Sequence, residues 1–449
     1  MGRLFGTDGA RGIANKELTC ELAMQIGRAA AMVLTEHTSK KPKVLIGMDT
    51  RASSQMLEAS ISAGLCSVGA DVLLLNVVPT PAVAYLVKKY SYDAGIMISA
   101  SHNPCEYNGI KIFQSNGYKL PDELEEEIES IILDQTKVPP VKIGGEVGRI
   151  RNSKTARYDY TAYLKSCAET PISNLKVAFD CANGSASVIA PELFMSLGID
   201  CLFISAHPNG ENINDNCGST HLERLKDFVV RNGCDVGLAF DGDADRLLAV
   251  DENGEEVNGD KIISICADYM KSRGLLKKNT AVVTVMSNMG FFDFCERKGI
   301  KCEKTKVGDR YVLENMVKNG CNLGGEQSGH IIFLDYATTG DGELSAIKLL
   351  QVLSETKEKL SKLADEMQVF PQVMVNVRVS DFGKARFPRD EEIKRAIAAA
   401  EAEIKGDGRV LVRVSGTEPL VRVMLEGKNV EKINELSEEI AQVIRERLL

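Results

Sequence analysis

Several features are missing from this chain of 449 residues. Its twelve cysteines are scattered singly, with no Cys-x-x-Cys pair and no Cys/His spacing typical of a zinc site. Most of them have small or apolar neighbours, so we expect reduced thiols that pack as small hydrophobic groups. The N-terminus has no apolar segment typical of a secretory signal, and Gly6 stands where a myristoylation signal has Ser or Thr. We therefore expect a protein of the cytoplasm.

Long hydrophobic runs are also absent. The longest apolar stretch, 72–87, is interrupted by Asn76, Pro79 and Pro81, which excludes a membrane span there. Lys and Arg number 54 against 63 Asp and Glu, and this net charge of −9 argues against a protein that coats nucleic acid or an anionic membrane. The composition, 44% hydrophobic and 26% charged, is that of a globular protein, and the length predicts about three or four domains.

An internal repeat predicts the architecture. Three stretches read as strand, helix, glycine turn and second strand, and their first strands lie at 44–48, 177–179 and 281–285. This order is typical of parallel strands covered by helices. We therefore predict three topologically similar α/β domains with mixed sheets, at 1–150, 151–256 and 257–368. The remainder, 369–449, reads as a smaller C-terminal α+β domain, and we expect the four domains to surround a central cleft.

Each repeat then contains a further predicted strand that is followed by a chemically distinctive loop. The three loops are 99–104 (Ser-Ala-Ser-His-Asn-Pro), 241–246 (Asp-Gly-Asp-Ala-Asp-Arg) and 326–330 (Glu-Gln-Ser-Gly-His). In open α/β sheets, chemistry gathers in the loops that leave the carboxyl ends of strands. These loops are therefore the first candidates for a functional site.

The second loop places three carboxylates at alternate positions, Asp241, Asp243 and Asp245. Oxygen ligands in that number suit a hard divalent cation such as Mg²⁺. An EF-hand calcium loop is disfavoured because Arg246 occupies the position of its glycine and because the flanks read as strands. A solvated acidic turn is the remaining alternative.

The first loop presents Ser101, a candidate nucleophile if a base or a metal activates its hydroxyl. It does not have the Gly-x-Ser-x-Gly pattern of an esterase, and a serine that only caps a turn is the alternative. Beside a three-carboxylate Mg²⁺ site, however, a serine hydroxyl fits phosphoryl transfer.

Two further segments offer groups for a phosphorylated sugar. The third loop provides a carboxylate, a hydroxyl and the imidazole of His330, which suit sugar hydroxyls and proton transfer, although a plain strand turn is possible. Near the C-terminus, a segment between two predicted strands can cradle a phosphate, with an ordinary hairpin turn as the alternative. Its candidate residues are Arg413, Ser415, Gly416, Thr417 and Arg422.

A Gly-rich turn at 6–12 presents Arg11, which suits an anionic group. The turn lacks the lysine and the spacing of a Walker A loop, so it does not indicate an ATPase.

Taken together and in this order, the four loops resemble those of the α-D-phosphohexomutase superfamily, and the resemblance covers essentially the whole chain. Ser99–Pro104 resembles its catalytic serine motif, 241–246 its metal loop, 325–330 its sugar loop and 413–419 its phosphate loop. Gln327 stands where superfamily members that act on mannose or glucose phosphates typically have Met. The chain is therefore most similar to the bacterial members that act on glucosamine phosphates.

The resemblance implies a mechanism. Ser101 would be phosphorylated at rest, and one Mg²⁺ would be held by Asp241, Asp243, Asp245 and a phosphate oxygen on Ser101. Glucosamine 6-phosphate would become a 1,6-bisphosphate and then glucosamine 1-phosphate, which feeds UDP-N-acetylglucosamine and peptidoglycan precursor synthesis. A hexose 1,6-bisphosphate would act as activator, and a homodimer is expected.

The same resemblance implies roles for further side chains. Arg11 and Lys111 would stabilise the transferred charge or move a proton, with His102 and His330 as additional catalytic candidates. Substrate binding would involve Arg246, Glu326, Ser328, Arg413, Ser415, Gly416, Thr417 and Arg422.

Three alternatives remain open at this stage. The first is the same chemistry on mannose or glucose phosphate. The second is a phosphosugar-binding protein without turnover, which would have no need of an intact Ser101 and Lys111. The third is a hydrolytic phosphatase, which would have no use for a distal phosphate cradle.

Overall fold

The structure is a computed structural model that describes residues 3–6, 8–35, 41–415 and 419–448. It divides into two compact units. One comprises Met1–Met286 and Lys298–Glu366, and the other comprises Ser287–Arg297 and Met367–Leu449. The described residues form sheets of seven, five, four and three strands.

The seven-stranded sheet is mixed, with the order β1-β2-β6-β5-β3-β4-β7. Its strands are β1 (Phe5–Gly6), β2 (Gly9–Ile13), β3 (Lys43–Met48), β4 (Asp71–Val77), β5 (Ala94–Ile98), β6 (Tyr107–Gln114) and β7 (Ile150–Asn152). The helices of this region are α1 (Cys20–Thr35), α2 (Ala52–Ser67), α3 (Thr80–Lys89) and α4 (Asp122–Leu133). Strands β3 and β5 are almost continuously apolar because helices bury them, and α1, α2 and α4 contribute to one hydrophobic core with the sheet.

The five-stranded sheet has the order β12-β11-β10-β8-β9. Its strands are β8 (Lys176–Asp180), β9 (Asp200–Ile204), β10 (Val236–Phe240), β11 (Leu247–Asp251) and β12 (Glu256–Val257). The helices are α5 (Ala156–Ser166), α6 (Ala190–Ser196) and α7 (Glu223–Asn232). Phe179, Phe194 and Phe240 stack in its interior.

The four-stranded sheet has the order β14-β13-β15-β16. Its strands are β13 (Thr280–Thr284), β14 (Lys301–Thr305), β15 (Leu323–Gly325) and β16 (Ile331–Phe333). The helices of this stretch are α8 (Gly259–Ser272), α9 (Met289–Lys298), α10 (Asp309–Asn319), α11 (Gly342–Thr356) and α12 (Leu360–Ala364).

One strand order recurs in all three of these sheets. It reads β4-β3-β5-β6 in the first, β9-β8-β10-β11 in the second and β14-β13-β15-β16 in the third. In each case the first three strands are parallel and the fourth is antiparallel to the third. The prediction of three similar α/β mixed-sheet domains is confirmed, and each distinctive loop lies between the third and fourth strands of its set.

The second unit contains a three-stranded antiparallel sheet of order β17-β19-β18. Its strands are β17 (Gln372–Arg378), β18 (Gly408–Val414) and β19 (Leu420–Gly427), and its further helices are α13 (Asp381–Arg386), α14 (Glu391–Glu403) and α15 (Val430–Leu448). Helices α14 and α15 pack on the sheet through one apolar core. This is the α+β architecture predicted for the C-terminal part.

The remaining elements are short. Turns of 3-10 helix lie at Gly144–Glu146, Ser185–Val188, Gly218–Thr220, Lys277–Asn279 and Phe387–Arg389. All twelve cysteines are thiols that form no disulfide in the part of the chain that the structure describes. In the described ranges, every helix is too short or too polar to cross a bilayer.

Candidate active site

Ser101 lies in the loop between β5 and β6, where its backbone has a left-handed conformation with φ of 53°. Such a conformation is strained for a residue with a side chain, and surrounding contacts must therefore hold it. The Ser101 carbonyl accepts hydrogen bonds from Arg51 Nη2 at 3.0 Å and from Asn214 Nδ2 at 2.9 Å. The Ser101 N–H donates to Ser99 Oγ at 2.9 Å, so the loop is fixed from both sides.

The Ser101 hydroxyl points at the acidic loop of the second sheet. Its Oγ donates to Asp241 Oδ2 at 2.5 Å, and His102 Nδ1 lies 3.3 Å from Ser101 Oγ. This approach depends on Gly242, since a Cβ there would lie 2.6 Å from the Ser101 carbonyl oxygen. Burial, followed by the charges of Arg246 and Arg11, lowers the pKa of His102 to about 4.

Asp241, Asp243 and Asp245 converge between β10 and β11. One carboxylate oxygen from each residue can be chosen so that all three lie within 4.8 Å of one another, and all three side chains are buried. Burial and the charges of Asp245 and Asp243 raise the pKa of Asp241 well above its ordinary value. Such a cluster of negative charge is stabilised by a bound cation.

The donor set of this cluster fits a hard divalent cation. Among the described residues, Asp243 Oδ1 and Asp245 Oδ1 are buried oxygens without a hydrogen-bond partner. Buried carboxylate oxygens in native proteins normally have partners, so these two atoms are available as ligands. The prediction of a metal site at this loop therefore agrees with its geometry.

Two cations lie beside the acidic cluster. Lys111, on β6, is buried, and its Nζ lies 2.8 Å from Asp243 Oδ2 and 3.4 Å from Asp245 Oδ2. Arg11, on the adjacent strand β2, donates to Asp8, which also lies 3.0 Å from Lys111 Nζ. The predicted Arg11 and Lys111 are thus joined by a carboxylate that was not singled out in the sequence.

Arg246 ends the acidic loop. Its N–H donates to Asp241 Oδ1 at 3.2 Å, and its Nε lies 3.9 Å from Asp245 Oδ1. Burial alone would lower the pKa of Arg246, but Asp241, Asp245 and Glu326 raise it. The arginine therefore connects the acidic loop electrostatically to the third loop.

The third loop connects β15 and β16 and closes on itself, because the Glu326 N–H donates to the His330 carbonyl at 3.0 Å. Its glycine, Gly329, has φ of 92°, and a Cβ there would lie 2.4 Å from the Leu247 carbonyl oxygen. His330 is buried and Ser328 is exposed. Burial and then Asp309 raise the pKa of Glu326.

The His330 ring is oriented by a backbone hydrogen bond that it accepts. The Gly340 N–H donates to His330 Nε2 at 3.0 Å, and His330 Nδ1 lies 3.7 Å from Asp245 Oδ1. A nitrogen that accepts a backbone N–H carries no proton of its own in that arrangement. The other nitrogen, Nδ1, therefore carries the proton and faces the acidic cluster.

The predicted phosphate residues lie in the second unit. Arg413 on β18 and Arg422 on β19 are directly opposite each other in the antiparallel pair, and Ser415 is buried after β18. Burial and the charge of Arg422 lower the pKa of Arg413. Two guanidinium groups at such a pair favour an anion between them. Gly416 and Thr417 fall outside the described residues.

Several residues at these loops were missed in the sequence. Arg51 follows Asp49 by two residues, and its Nε donates to Asp49 Oδ2 at 2.8 Å. An acidic and a basic residue this close together after a buried strand were a signal that could have identified Arg51. Asn214 and Thr80 had no such signal, because each meets its loop across more than 100 residues of chain.

Comparison with known families supports this arrangement. The chain matches all four domain descriptions of the phosphoglucomutase/phosphomannomutase family, with alpha/beta/alpha domains I, II and III at residues 2–138, 158–254 and 258–370 and the C-terminal domain at 374–443.

Curated relatives are similar over their full length. The phosphoglucosamine mutase of Acetivibrio thermocellus is 56% identical over 448 residues, and that of Caldanaerobacter subterraneus is 55% identical over 448 residues. In both comparisons, 100% of each chain is covered.

Solved structures share the fold at low identity. A phosphoglucomutase/phosphomannomutase family protein from Burkholderia thailandensis has a TM-score of 0.80 at 22% identity, covering 100% of this chain and 98% of that chain. The Aspergillus fumigatus N-acetylphosphoglucosamine mutase, solved with GlcNAc-6P and magnesium, has a TM-score of 0.70 at 16% identity, covering 100% of this chain and 96% of that chain.

Proposed function

The chain belongs to the phosphoglucosamine mutase family of the phosphohexomutases, and from this premise we propose that it interconverts glucosamine 6-phosphate and glucosamine 1-phosphate. It is an isomerase-class enzyme, because its net reaction changes the position of a phosphoryl group on one sugar. The observation that carries the proposed chemistry is the 2.5 Å hydrogen bond from Ser101 Oγ to Asp241 Oδ2, which joins a nucleophile to a three-carboxylate cluster.

In the proposed mechanism, Ser101 carries the phosphoryl group between turnovers. The bond from Ser101 Oγ to phosphorus breaks as the sugar 1-hydroxyl oxygen bonds to phosphorus, and the proton of that hydroxyl ends on Ser101 Oγ, which yields a 1,6-bisphosphate. The sugar then reverses its orientation. Ser101 Oγ bonds to the phosphorus at position 6 as the bond to the sugar 6-oxygen breaks, and the proton passes to that oxygen. A Mg²⁺ bound by Asp241, Asp243 and Asp245, with a phosphate oxygen on Ser101 as a further ligand, would neutralise phosphate charge.

The neighbouring cations are assigned to charge stabilisation. The Lys111 ammonium has three carboxylates around it, Asp8, Asp243 and Asp245, and Arg11 shares Asp8. Both are oriented before substrate arrives, and preorganised charge is the main catalytic resource for phosphoryl transfer. His102 and His330 remain additional candidates for proton transfer.

Substrate recognition is assigned to two sets of residues. Glu326, Ser328 and Arg246 would bind sugar hydroxyls, and the carboxylate of Glu326 is fixed by the Gly308 N–H at 3.1 Å. Arg413, Ser415 and Arg422 would hold the phosphate that is not reacting, together with Gly416 and Thr417. An intermediate that reverses its orientation needs such a second phosphate site.

Further parts of the proposal rest on the sequence and on the resemblance. We place the protein in the cytoplasm, where its twelve cysteine thiols stay reduced, and expect a hexose 1,6-bisphosphate to act as activator. We also propose domains at 1–150, 151–256, 257–368 and 369–449, and a homodimer. The product would enter UDP-N-acetylglucosamine synthesis.

The experiment that tests the proposed function follows turnover by ³¹P NMR with Mg²⁺ and a trace of glucose 1,6-bisphosphate. Glucosamine 6-phosphate, mannose 6-phosphate and glucose 6-phosphate are supplied separately, and we expect the 1-phosphate signal to grow fastest from the glucosamine compound. Faster conversion of either other sugar would overturn the substrate assignment based on Gln327. Ser101→Ala should abolish turnover while Ser196→Ala, a change on α6, preserves it.

A further inference from the structure

Lys119 lies between two carboxylates from different parts of the first unit, with only 11% of its side chain exposed. Its Nζ lies 2.5 Å from Asp8 Oδ1 and 2.6 Å from Asp309 Oδ2. Asp8 lies between β1 and β2, whereas Asp309 is the first residue of α10. Burial alone would lower the pKa of Lys119, but Asp309 and Asp8 raise it, so the ammonium stays charged. Lys119, Asp8 and Asp309 thus form a charged triad, none of whose members reacts with substrate in the proposed mechanism.

The second oxygen of Asp8 faces the candidate active site. Asp8 Oδ2 lies 3.0 Å from Lys111 Nζ and accepts a hydrogen bond from Arg11 Nη2. One carboxylate is therefore shared between Lys119 on one side and both catalytic cations on the other. A displacement of Asp8 would move Arg11 and Lys111 together.

Asp8 differs from the other carboxylates that contact Lys111. Asp243 and Asp245 belong to the cluster that fits a divalent cation, and a carboxylate bound to such a cation attracts an ammonium less strongly. Asp8 is outside that cluster. It is thus the anchor on which the position of Lys111 depends when the metal is bound.

The backbone of Lys119 is held against the strand that carries Lys111. Lys119 forms an isolated antiparallel bridge with Phe113 of β6, and the Gln114 N–H donates to the Tyr118 carbonyl at 2.8 Å. At its other end, the triad reaches the third loop, because Asp309 Oδ2 lies 3.5 Å from His330 Nε2. A single ammonium therefore connects three separate segments: the N-terminal turn, β6 and α10.

We propose that Lys119 is a positioning residue, which bridges Asp8 and Asp309 and so fixes the carboxylate that aligns Arg11 and Lys111. This inference rests on the proposed function, since it assumes that Arg11 and Lys111 stabilise the transferred phosphoryl group. Lys119 acts through Asp8 and does not touch the reacting atoms.

The test compares Lys119→Met and Lys119→Arg with wild type in the glucosamine 6-phosphate assay. We expect Lys119→Met to lower kcat about 100-fold with little change in KM, because small misplacements of catalytic groups cost about that factor. Lys119→Arg keeps a cation between the two carboxylates and should recover most of the rate. The matched control is Lys348→Met, since its side chain is 12% exposed against 11% for Lys119 and it pairs with Glu169.

A double-mutant cycle separates positioning from general destabilisation. If Lys119 acts through Asp8, Lys119→Met should add almost nothing to the loss caused by Asp8→Asn, whereas Lys348→Met should combine with it independently. Additive losses from Lys119→Met and Asp8→Asn would overturn the inference, as would a kcat for Lys119→Met near that of wild type.

A crystal structure of the Lys119→Met variant provides a readout that does not depend on turnover. Displacement of Asp8 and Arg11 relative to wild type is the expected result, and unchanged positions of these side chains would overturn the inference. Failure of the wild-type protein to convert any sugar would instead count against the proposed function, so the two failures are distinguishable.

Discussion

Thr80 and Asp243 are bound to each other twice. The Thr80 hydroxyl donates to Asp243 Oδ2 at 2.5 Å, and the Thr80 N–H donates to the Asp243 carbonyl at 2.9 Å. Thr80 is the first residue of α3 and is fully buried. The Asp243 carboxylate, the middle one of the acidic loop, is therefore oriented by helix α3, which packs beside the first sheet. Thr80 and Asp243 are 163 residues apart in the chain.

Removal of this hydroxyl should weaken metal binding. Thr80→Val keeps the size of the side chain and the backbone hydrogen bond, but it removes one of the two donors to Asp243 Oδ2, so that Lys111 Nζ is the donor that remains. Partners that orient metal ligands typically contribute 10-fold to 100-fold in affinity, so we expect the Kd for Mg²⁺ to rise about 10-fold. Calorimetric titration measures this, with Thr80→Ser as the control that keeps the hydroxyl. Equal affinities for wild type and Thr80→Val would contradict the assigned role.

The conformation of the Ser101 loop should depend on Arg51. This fully buried guanidinium donates to the carbonyls of Ser101 and Asn103 and to Asp49. Arg51→Lys cannot make all three contacts, so we expect the left-handed Ser101 to relax and kcat to fall about 100-fold. Buried carbonyls that lose their donor should also lower the free energy of unfolding by about 1 to 3 kcal/mol.

The control for this prediction is Arg231→Lys, because Arg231 pairs with Asp227 on an exposed surface. It should change neither the rate nor the thermal midpoint. Full activity of Arg51→Lys would show that the loop holds its conformation without the guanidinium.

The paired arginines of the second unit should govern substrate affinity. Hydrogen bonds to charged groups contribute about 1.5 to 3 kcal/mol, so Arg413→Ala should raise KM by at least about 10-fold and lower kcat less. Arg378→Ala, at an exposed position on β17 of the same sheet, is the matched control. Steady-state kinetics give both constants, and an unchanged KM for Arg413→Ala would refute the assignment of the distal phosphate site.

Glu58 should make stability depend on pH. Burial raises the pKa of this α2 residue from 4.5 to about 7, and among the described residues its Oε1 has no hydrogen-bond partner. Between those two values the folded state binds more protons than the unfolded state, so the free energy of unfolding falls as pH rises. Glu58→Gln removes this dependence.

We expect Glu58→Gln to be more stable than wild type at pH 8 by about 1 kcal/mol, after allowance for partial solvent screening, and to show little difference at pH 4.5. Thermal unfolding at several pH values measures the change. Glu126→Gln, an exposed substitution on α4, serves as the control. Parallel stability curves for wild type and Glu58→Gln would contradict the burial argument.

Much of the fold was predictable because its signals are local. Apolar runs such as Val44–Met48, followed by a helical pattern and a glycine, identify a parallel unit wherever they recur. One exception is β2 (Gly9–Ile13), which lies in the stretch read as a Gly-rich turn. Another is β7 (Ile150–Asn152), which is short, exposed and partly charged, so that no hydrophobic pattern marks it. It pairs in parallel with β4 at the edge of the sheet.

The candidate site was predictable to a lesser degree. Ser101 and the three aspartates stand out in the chain because their chemistry is concentrated in short motifs. Lys119, Asp309 and Thr80 do not stand out, because the contact that places each of them at the site is with a residue more than 100 positions away in the chain. Their place at the site is therefore visible in the three-dimensional structure and not in the sequence.

The recurrence of one strand order in three sheets has a consequence for how such a protein changes over evolutionary time. Strand pairing maintains each scaffold, whereas the loop between its third and fourth strands supplies the chemistry. A substitution in one loop therefore leaves the strand pairing of the other two scaffolds intact. Substrate preference can diverge through the third loop while the nucleophile and the acidic cluster are inherited unchanged.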